Sequence, residues 1–394
     1  MILRFVYTRR VVAVAPFQGL LYDPVRVGDL AAVTSPPYDV VLPHDRDRLH
    51  EASPHNIARV DLGQDVPGED KYTDAARLLR SWRQEGFLAS TDGPRVYPYE
   101  MRFAYLGAER RVRGVIVEVG LEAWGQGILP HERTMAAPVE DRLRLLRATM
   151  TDLSPIYAVA GGPSPPQTEL IEAVSGRPPH RELADEEGTV HRLWVESMPE
   201  ELAAWYVDQS LLVADGHHRY QTALAHQAEQ WATRGTGPWD GVMMLVVDAA
   251  TEDPPVLPIH RLVRGTRPFV DGERVRGLEE ILLRLTNDDL RFGAAWREEG
   301  SLVHVIGRLR GEPPTVAALH RSLLDGLEAE LRFVPDAALA EAAVRDGVAD
   351  VAVFLPPARV ADVRGVVARG ERLPQKSTYF WPKPRTGLVL RPLD

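Results

Sequence analysis

Between Leu211 and Leu224 the chain reads LLVADGHHRYQTAL, an apolar strand-like run that stops at Asp215-Gly216 and restarts as a helical pattern carrying His217, His218 and Arg219. A helix that opens just after a glycine turn directs its first backbone N–H groups and the positive end of its dipole at one spot. Arg219 and the two imidazoles add donors and charge there, so the spacing predicts an anion site, and a phosphate fits it. The plainer alternative is that Asp215 serves only as an N-cap and the histidines satisfy their neighbours. A second candidate is Pro130-His131-Glu132. A carboxylate near a phosphate-binding turn is what a phosphotransferase needs to take the proton of an attacking hydroxyl, which makes Glu132 the candidate base. Pro-His-Glu lacks the His-Glu-x-x-His spacing that sets two imidazoles on one helical face, which argues against a zinc protease. A capping, salt-bridging loop is its alternative reading.

The elements that must position these residues are legible as patterns. The helix carrying His217 is expected to run to about Trp231 and to be followed by a strand, Gly241 to Asp248, which with the preceding run makes an α/β unit. Upstream, strand-like runs at Val11 to Ala15, Arg95 to Phe103 and Arg111 to Val119 alternate with an amphipathic helix, Tyr72 to Gln84, whose Ala75, Ala76, Leu78, Leu79 and Trp82 share a face. Ser35-Pro-Pro-Tyr38-Asp39-Val40 is a rigid extended turn of the kind that walls a pocket or merely connects. A helix is expected over Glu140 to Thr149, and residues 161 to 190 read as an inserted loop with one short helix, Gln167 to Val174. Beyond about Gly265, helices over Asp271 to Leu285, Thr315 to Leu331, Asp336 to Asp346 and Val360 to Arg369 are expected between strands at Leu302 to Ile306 and Val351 to Leu355. The fold class is therefore α/β (α+β), with domains at 1–118, 119–265 and 266–394.

Composition narrows the function. The chain has 394 residues, no cysteine and a net charge of −10. Disulfides, thiolate metal sites and a cysteine nucleophile are excluded. The acidic balance argues against a nucleic-acid partner, and no stretch has the length of a membrane span. The N-terminal run MILRFVYTRRVVAVAPF lacks the apolar segment and small-residue cleavage site of a leader, so a cytoplasmic protein is expected. Only Lys71, Lys376 and Lys383 are lysines in an arginine-rich chain, a bias read as codon usage. Two of them fall in LPQKSTYFWPKPRTG, a segment too rich in donors for an ordinary surface tail.

ADGHHRYQTA, PPYDV, LPHERTM, the Asp141-Arg142 to Pro155 stretch and LPQKSTYFWPKPRTG together resemble the bacterial DUF1015 family over essentially the whole chain. The middle unit also resembles the ParB/sulfiredoxin-like fold, a mixed-sheet core in which a Gly-x-x-Arg turn at a helix start binds nucleotide phosphates. Within that superfamily it is similar to the free serine kinases, which combine a Pro-His-Glu segment, an Asp-Gly-His-His-Arg turn and a late Pro-Lys-Thr-Thr-like segment. The counterparts here, in the same order, are Pro130 to Glu132, Asp215 to Arg219 and Pro374 to Thr378. Departures are the extra N-terminal domain, the insertion at 161–190, Tyr220 where the kinases carry tryptophan, and Gln375 inside the last motif.

The resemblance implies a nucleotide-dependent phosphotransferase acting on serine or a similar small hydroxy metabolite, with ATP or ADP and Mg²⁺. Glu132, His131 and Asp215 would do the chemistry, Asp215 also holding the metal or orienting His217. Gly216, His217, His218, Arg219 and Thr222 would bind the nucleotide. Tyr38, Asp39, His260, Arg261, Lys376, Ser377 and Thr378 would bind the substrate, although His260-Arg261 also reads as an ordinary strand-edge pair. Rival readings are a phosphatase using water as acceptor, a ParB-like nuclease or DNA-binding switch, and a nucleotide sensor that turns nothing over.

Overall fold

The computed structural model describes residues 12–65, 68–265 and 270–394. Val11, the expected start of the first strand, and the arginine-bearing run before it lie outside the described residues. The chain forms two compact units: residues 1–130, 134–253 and 382–394 in the first, and 131–133 with 254–381 in the second. This differs from the division at 118/119, because that boundary falls inside a central strand of one sheet.

The first unit is built on a nine-stranded mixed sheet whose strands are β1 (Val14–Ala15), β2 (Tyr97–Tyr105), β3 (Ala108–Gly120), β4 (Ile128–Pro130), β5 (Ile156–Ala160), β6 (Arg181–Ala184), β7 (Val190–Leu193), β8 (Leu211–Asp215) and β9 (Gly241–Val247). Their order is β4-β8-β5-β9-β3-β2-β7-β6, with β1 paired to β3. β8 runs parallel to β4, and β9 parallel to β5, while the other pairs are antiparallel. All seven residues of β9 are buried. That explains why GVMMLVV reads as an unbroken apolar run rather than an alternating one: a strand covered on both faces has no solvent side to mark. One face contributes Val115, Val117, Ile156, Ala158, Leu211, Val213, Val242 and Met244 to the main core.

The longer helices that frame the site in this unit are α1 (Lys71–Gln84), α2 (Ala136–Thr149), α3 (Pro165–Ser175) and α4 (His217–Thr233). α1 starts at Asp70, whose carboxylate accepts from the Tyr72 and Thr73 N–H groups, and buries Ala75, Ala76, Leu79 and Trp82. That is the expected apolar face except Leu78, and an Asp cap of this kind contributes about 1 kcal/mol. The stretch 161–190 is more than a loop. After α3 it enters the hairpin β6–β7, which pairs with β2 and extends the sheet.

The C-terminal segment also belongs to the first unit. Arg391–Pro392 pairs with Thr151–Asp152, Thr386 bridges to Ser35, and the Leu390 N–H donates to the Leu20 carbonyl. Arg391, 1% exposed, bonds Glu118 and Asp152 and the carbonyls of Pro238 and Gly241.

The second unit carries a six-stranded antiparallel sheet of β10 (His260–Gly265), β11 (Glu273–Val275), β12 (Arg291–Glu298), β13 (Ser301–Arg308), β14 (Ala329–Val334) and β15 (Val351–Phe354), ordered β11-β13-β12-β15-β10-β14. Helices α5 (Leu278–Arg284), α6 (Ala337–Arg345) and α7 (Val360–Ala368) belong to it. Two long expected helices are broken. Asp271 to Leu285 holds β11 before α5, because Gly277 interrupts the pattern. Thr315 to Leu331 is helical only to Leu324, and past Gly326, at φ +83°, the chain becomes β14. β12 was not foreseen, its RFGAAWRE mixing small and charged residues without alternation.

Candidate functional site

The expected residues divide between the two units. In the first, β8 approaches its end through a register shift between Val213 and Asp215 opposite β5. Such a shift re-aims the strand's last side chain. Gly216 follows at φ +97°, where L side chains are disfavoured, and a Cβ there would also lie 3.0 Å from Arg219 Nε. Glycine is required at this turn on both counts. α4 then opens directly at His217, with no side chain on its first flanking residue to cap it.

Asp215 sits in a row of alternating charges. Its Oδ1 is 2.6 Å from Lys383 Nζ, its Oδ2 is 2.6 Å from Arg219 Nη2, and the same Nζ is 2.8 Å from Asp39 Oδ2. Burial alone would push the Lys383 ammonium down, but Asp215 and Asp39 prevail and hold it above its ordinary value. Arg219 turns its guanidinium inward: Nη1 donates to Ser154 Oγ and to the Pro155 carbonyl. It is therefore a brace for the turn rather than the bare phosphate ligand that the sequence suggested.

Lys383 occupies the place between two carboxylates that a divalent cation would take. Among the described residues no group of three or more His, Asp or Glu side chains is arranged to hold a metal. The donor set thus does not fit Mg²⁺ as a protein-held ion, and the expected metal role of Asp215 gives way to ion pairing.

The flanking histidines are oriented by neighbours. His218 Nε2 accepts from the Met135 N–H at 3.0 Å, which places any single ring proton on Nδ1. His217 stacks on Trp124 at 6.1 Å between centroids, and Trp124 Nε1 donates to Gln221. Thr222 is buried with its hydroxyl on the Val139 carbonyl of α2. Tyr38 lies against the Arg142 guanidinium, 4.5 Å from ring centroid to Cζ.

Arg142 anchors a second charge group that the sequence left without a role. Its Nη1 donates to Asp61 Oδ1 at 2.7 Å, and its Nη2 to Asp141 Oδ2 at 2.6 Å. Lys71 Nζ and Tyr72 Oη donate to Asp141 Oδ1. Burial would raise the Asp141 carboxyl, yet Lys71, Arg142 and Tyr72 hold it down to about 2. Asp61 goes the other way: burial raises it, and Arg142 and Arg219 only partly offset that.

The remaining candidates lie in the second unit. His131, fully buried, pairs through Nε2 with Thr378 Oγ1 at 2.7 Å. The backbone of Glu132 forms a parallel bridge with Leu373, and Arg372 donates to the Glu132 carbonyl. His131-Glu132 and the late motif are therefore neighbours in the second unit. Within that motif Ser377 turns its hydroxyl back onto the Pro374 carbonyl, and Lys376 is exposed with φ +53°. Arg261 is 0% exposed, donating to the Ile259 carbonyl and to His320 Nε2, with Phe333 over its guanidinium. Burial lowers it to about 10, against the pull of the Glu132 charge. His260 and His320 are each held near 4, by burial first and then by the Arg261 cation.

Sequence reasoning missed Lys383, Asp61, Arg142 and Ser154 as parts of the charged group. A signal existed for the first: it is one of only three lysines in a chain that otherwise uses arginine, and it bridges two carboxylates.

Fold and site together define a mixed α/β protein with a glycine-opened helix start set in a charged network. The chain belongs to the family described as protein of unknown function (DUF1015), whose model matches residues 14–314. No curated protein matches it. Among solved structures, a free serine kinase in complex with AMP is 14% identical, covering 70% of this chain and 92% of its own, at a TM-score of 0.37. A conserved hypothetical protein from Pyrococcus furiosus is 14% identical, covering 69% and 92%, at 0.35. SbnI with a C-terminal truncation, from Staphylococcus aureus, is 12% identical, covering 68% and 84%, at 0.35. At TM-scores this low the likeness assigns no activity. Among the described residues no helix is long and apolar enough to cross a membrane.

Proposed function

We propose that this chain is a nucleotide-dependent phosphotransferase of the cytoplasm, binding phosphate at the start of α4 and acting on serine or a similar small hydroxy metabolite. The observation that carries the reading is the helix start itself: a seventeen-residue helix opening at His217 directly after left-handed Gly216. Its dipole places roughly half a positive charge at that end, where phosphate oxygens bind best. Lys383 and Arg219 fix the turn by pairing with Asp215. The ordered likeness of Pro130 to Glu132, Asp215 to Arg219 and Pro374 to Thr378 to the free serine kinases adds Glu132 as the proton acceptor for the attacking hydroxyl. His131 and Thr378 would hold that segment in place through their mutual hydrogen bond. Tyr38, Asp39, Arg261 and Lys376 stay candidates for contacts to the acceptor.

The test is to incubate the purified chain with ATP or ADP, magnesium and a panel of hydroxy amino acids, and to follow product by phosphorus NMR. A phosphorylated hydroxy acid that appears only with nucleotide is expected. Saturable nucleotide binding without product would leave a sensor, and hydrolysis of phosphoserine without nucleotide would leave a phosphatase; either would overturn the kinase reading.

A further inference from the structure

The six-stranded sheet of the second unit ends on β14, which pairs with β10 in an unbroken register on one side only. Beyond that ladder, the one backbone bond made by these residues, among the described residues, runs from the Ala329 N–H back to the Leu327 carbonyl. A strand has two hydrogen-bonding sides, so a row of N–H and C=O groups on β14 is left for a further strand. The other sheet edges are blunted. β4 ends in Pro130, which has no N–H to give, and β11 is three residues long. β6 has four residues, and the short helix Leu30–Val33 lies against it. β14 has six residues and carries no proline, lysine or bulge, the usual devices that keep an edge from pairing.

The charge pattern selects the strand that fits there. Glu330 and Arg332 share one face of β14, their side chains each 53% exposed, with Arg332 Nε 2.8 Å from Glu330 Oε1. Two copies of β14 laid antiparallel about a two-fold axis at Leu331 set Glu330 of each opposite Arg332 of the other. Opposite charges directly across a ladder attract, and like charges repel. Moving the axis to Glu330 or to Arg332 sets a like pair face to face, so the pattern fixes the register as well as the partner. In the Leu331 register, Leu331 and Phe333, half-buried in one copy, come beside Leu331 and Ala329 of the second. We infer that β14 is a self-association edge, through which two copies of this chain join their six-stranded sheets into one continuous antiparallel sheet. A ladder running only from Ala329 to Phe333 buries less than a standard interface, so the pairing is reversible.

Sedimentation velocity on the full chain, loaded from about 1 to 200 µM, spans the affinities that a small interface gives. A reversible monomer–dimer equilibrium is expected. Arg332→Glu makes an edge with two glutamates and Glu330→Arg one with two arginines, so each variant alone should self-associate at least tenfold more weakly. Both substitutions fall on exposed side chains, which leaves the fold in place. Mixed in equal amounts, the two variants should dimerise again, because every charged cross-strand pair is then of opposite sign. A chain that stays monomeric throughout, its edge left open or kept for a different partner, overturns the inference. So does a dimer that survives both single substitutions, or a mixture of the variants that stays monomeric.

Discussion

Lys383 joins two carboxylates of the first unit, and its removal should be expensive. Lys383→Met retains the aliphatic stem and deletes the charge. At an effective dielectric of about 20, each contact, 2.6 Å to Asp215 and 2.8 Å to Asp39, is worth roughly 6 kcal/mol of attraction. Most of that is offset by the cost of taking an ammonium out of water. Deleting one partner of a buried pair leaves the other charge stranded, and costs about 3–5 kcal/mol. Asp215 keeps Arg219, and Asp39 is about a quarter exposed at 26%, so the lower end applies, about 3 kcal/mol. Urea denaturation at pH 7 measures it, in the native and Asp39→Asn backgrounds. The penalty should shrink when Asp39 is already neutral. A loss under about 1 kcal/mol, or the same loss in both backgrounds, would refute the bridging role.

Glu132→Gln keeps size and hydrogen-bonding reach but cannot accept a proton, so nucleotide binding should persist while phosphoryl transfer falls by about a hundredfold or more; lost nucleotide binding or undiminished turnover, measured on the purified variant, would remove Glu132 as base. His260 and His320 are held near 4 in the fold against an ordinary 6.5, so the unfolded chain takes up protons first. Their contribution is complete above pH 6.5 and is lost as pH falls toward 4, and a denaturation series across that window should show the second unit weakening, with a shallower slope in His320→Asn.

The sequence made the local chemistry of the turn legible because it is written in adjacent residues. Gly216 between Asp215 and His217 declared both the end of a strand and the start of a helix, and β8 and α4 are where that junction placed them. The extent of α1, α6 and α7 followed from apolar periodicity. What stayed illegible was long-range pairing. No spacing rule links Lys383 to Asp39 or Asp215, and a guanidinium four residues from an aspartate reads equally as a phosphate ligand or an ion-pair partner; here Arg219 takes the second role. The hairpin β6–β7 was hidden because RELA and VHRL alternate over only four residues each. The expected helix at Thr315 to Leu331 ran on because its apolar residues suit either structure, and only Gly326 marks the change.

The segment Pro382–Asp394 sets an order of events for a chain emerging from the ribosome. Its side chains Lys383 and Arg391 and its backbone at Thr386 and Leu390 complete a unit whose other parts end at residue 253, with all but three residues of the second unit translated in between. Until it arrives, Asp39 and Asp215 face each other without their shared cation, and Glu118 and Asp152 lack Arg391. Nascent chains ordinarily complete N-terminal units first. Here the turn at Gly216 acquires Lys383 only after the second unit has been translated, so a ribosome stalled before residue 382 would hold a first unit whose sheet strands are all present but whose Asp215 has only Arg219 as its cation.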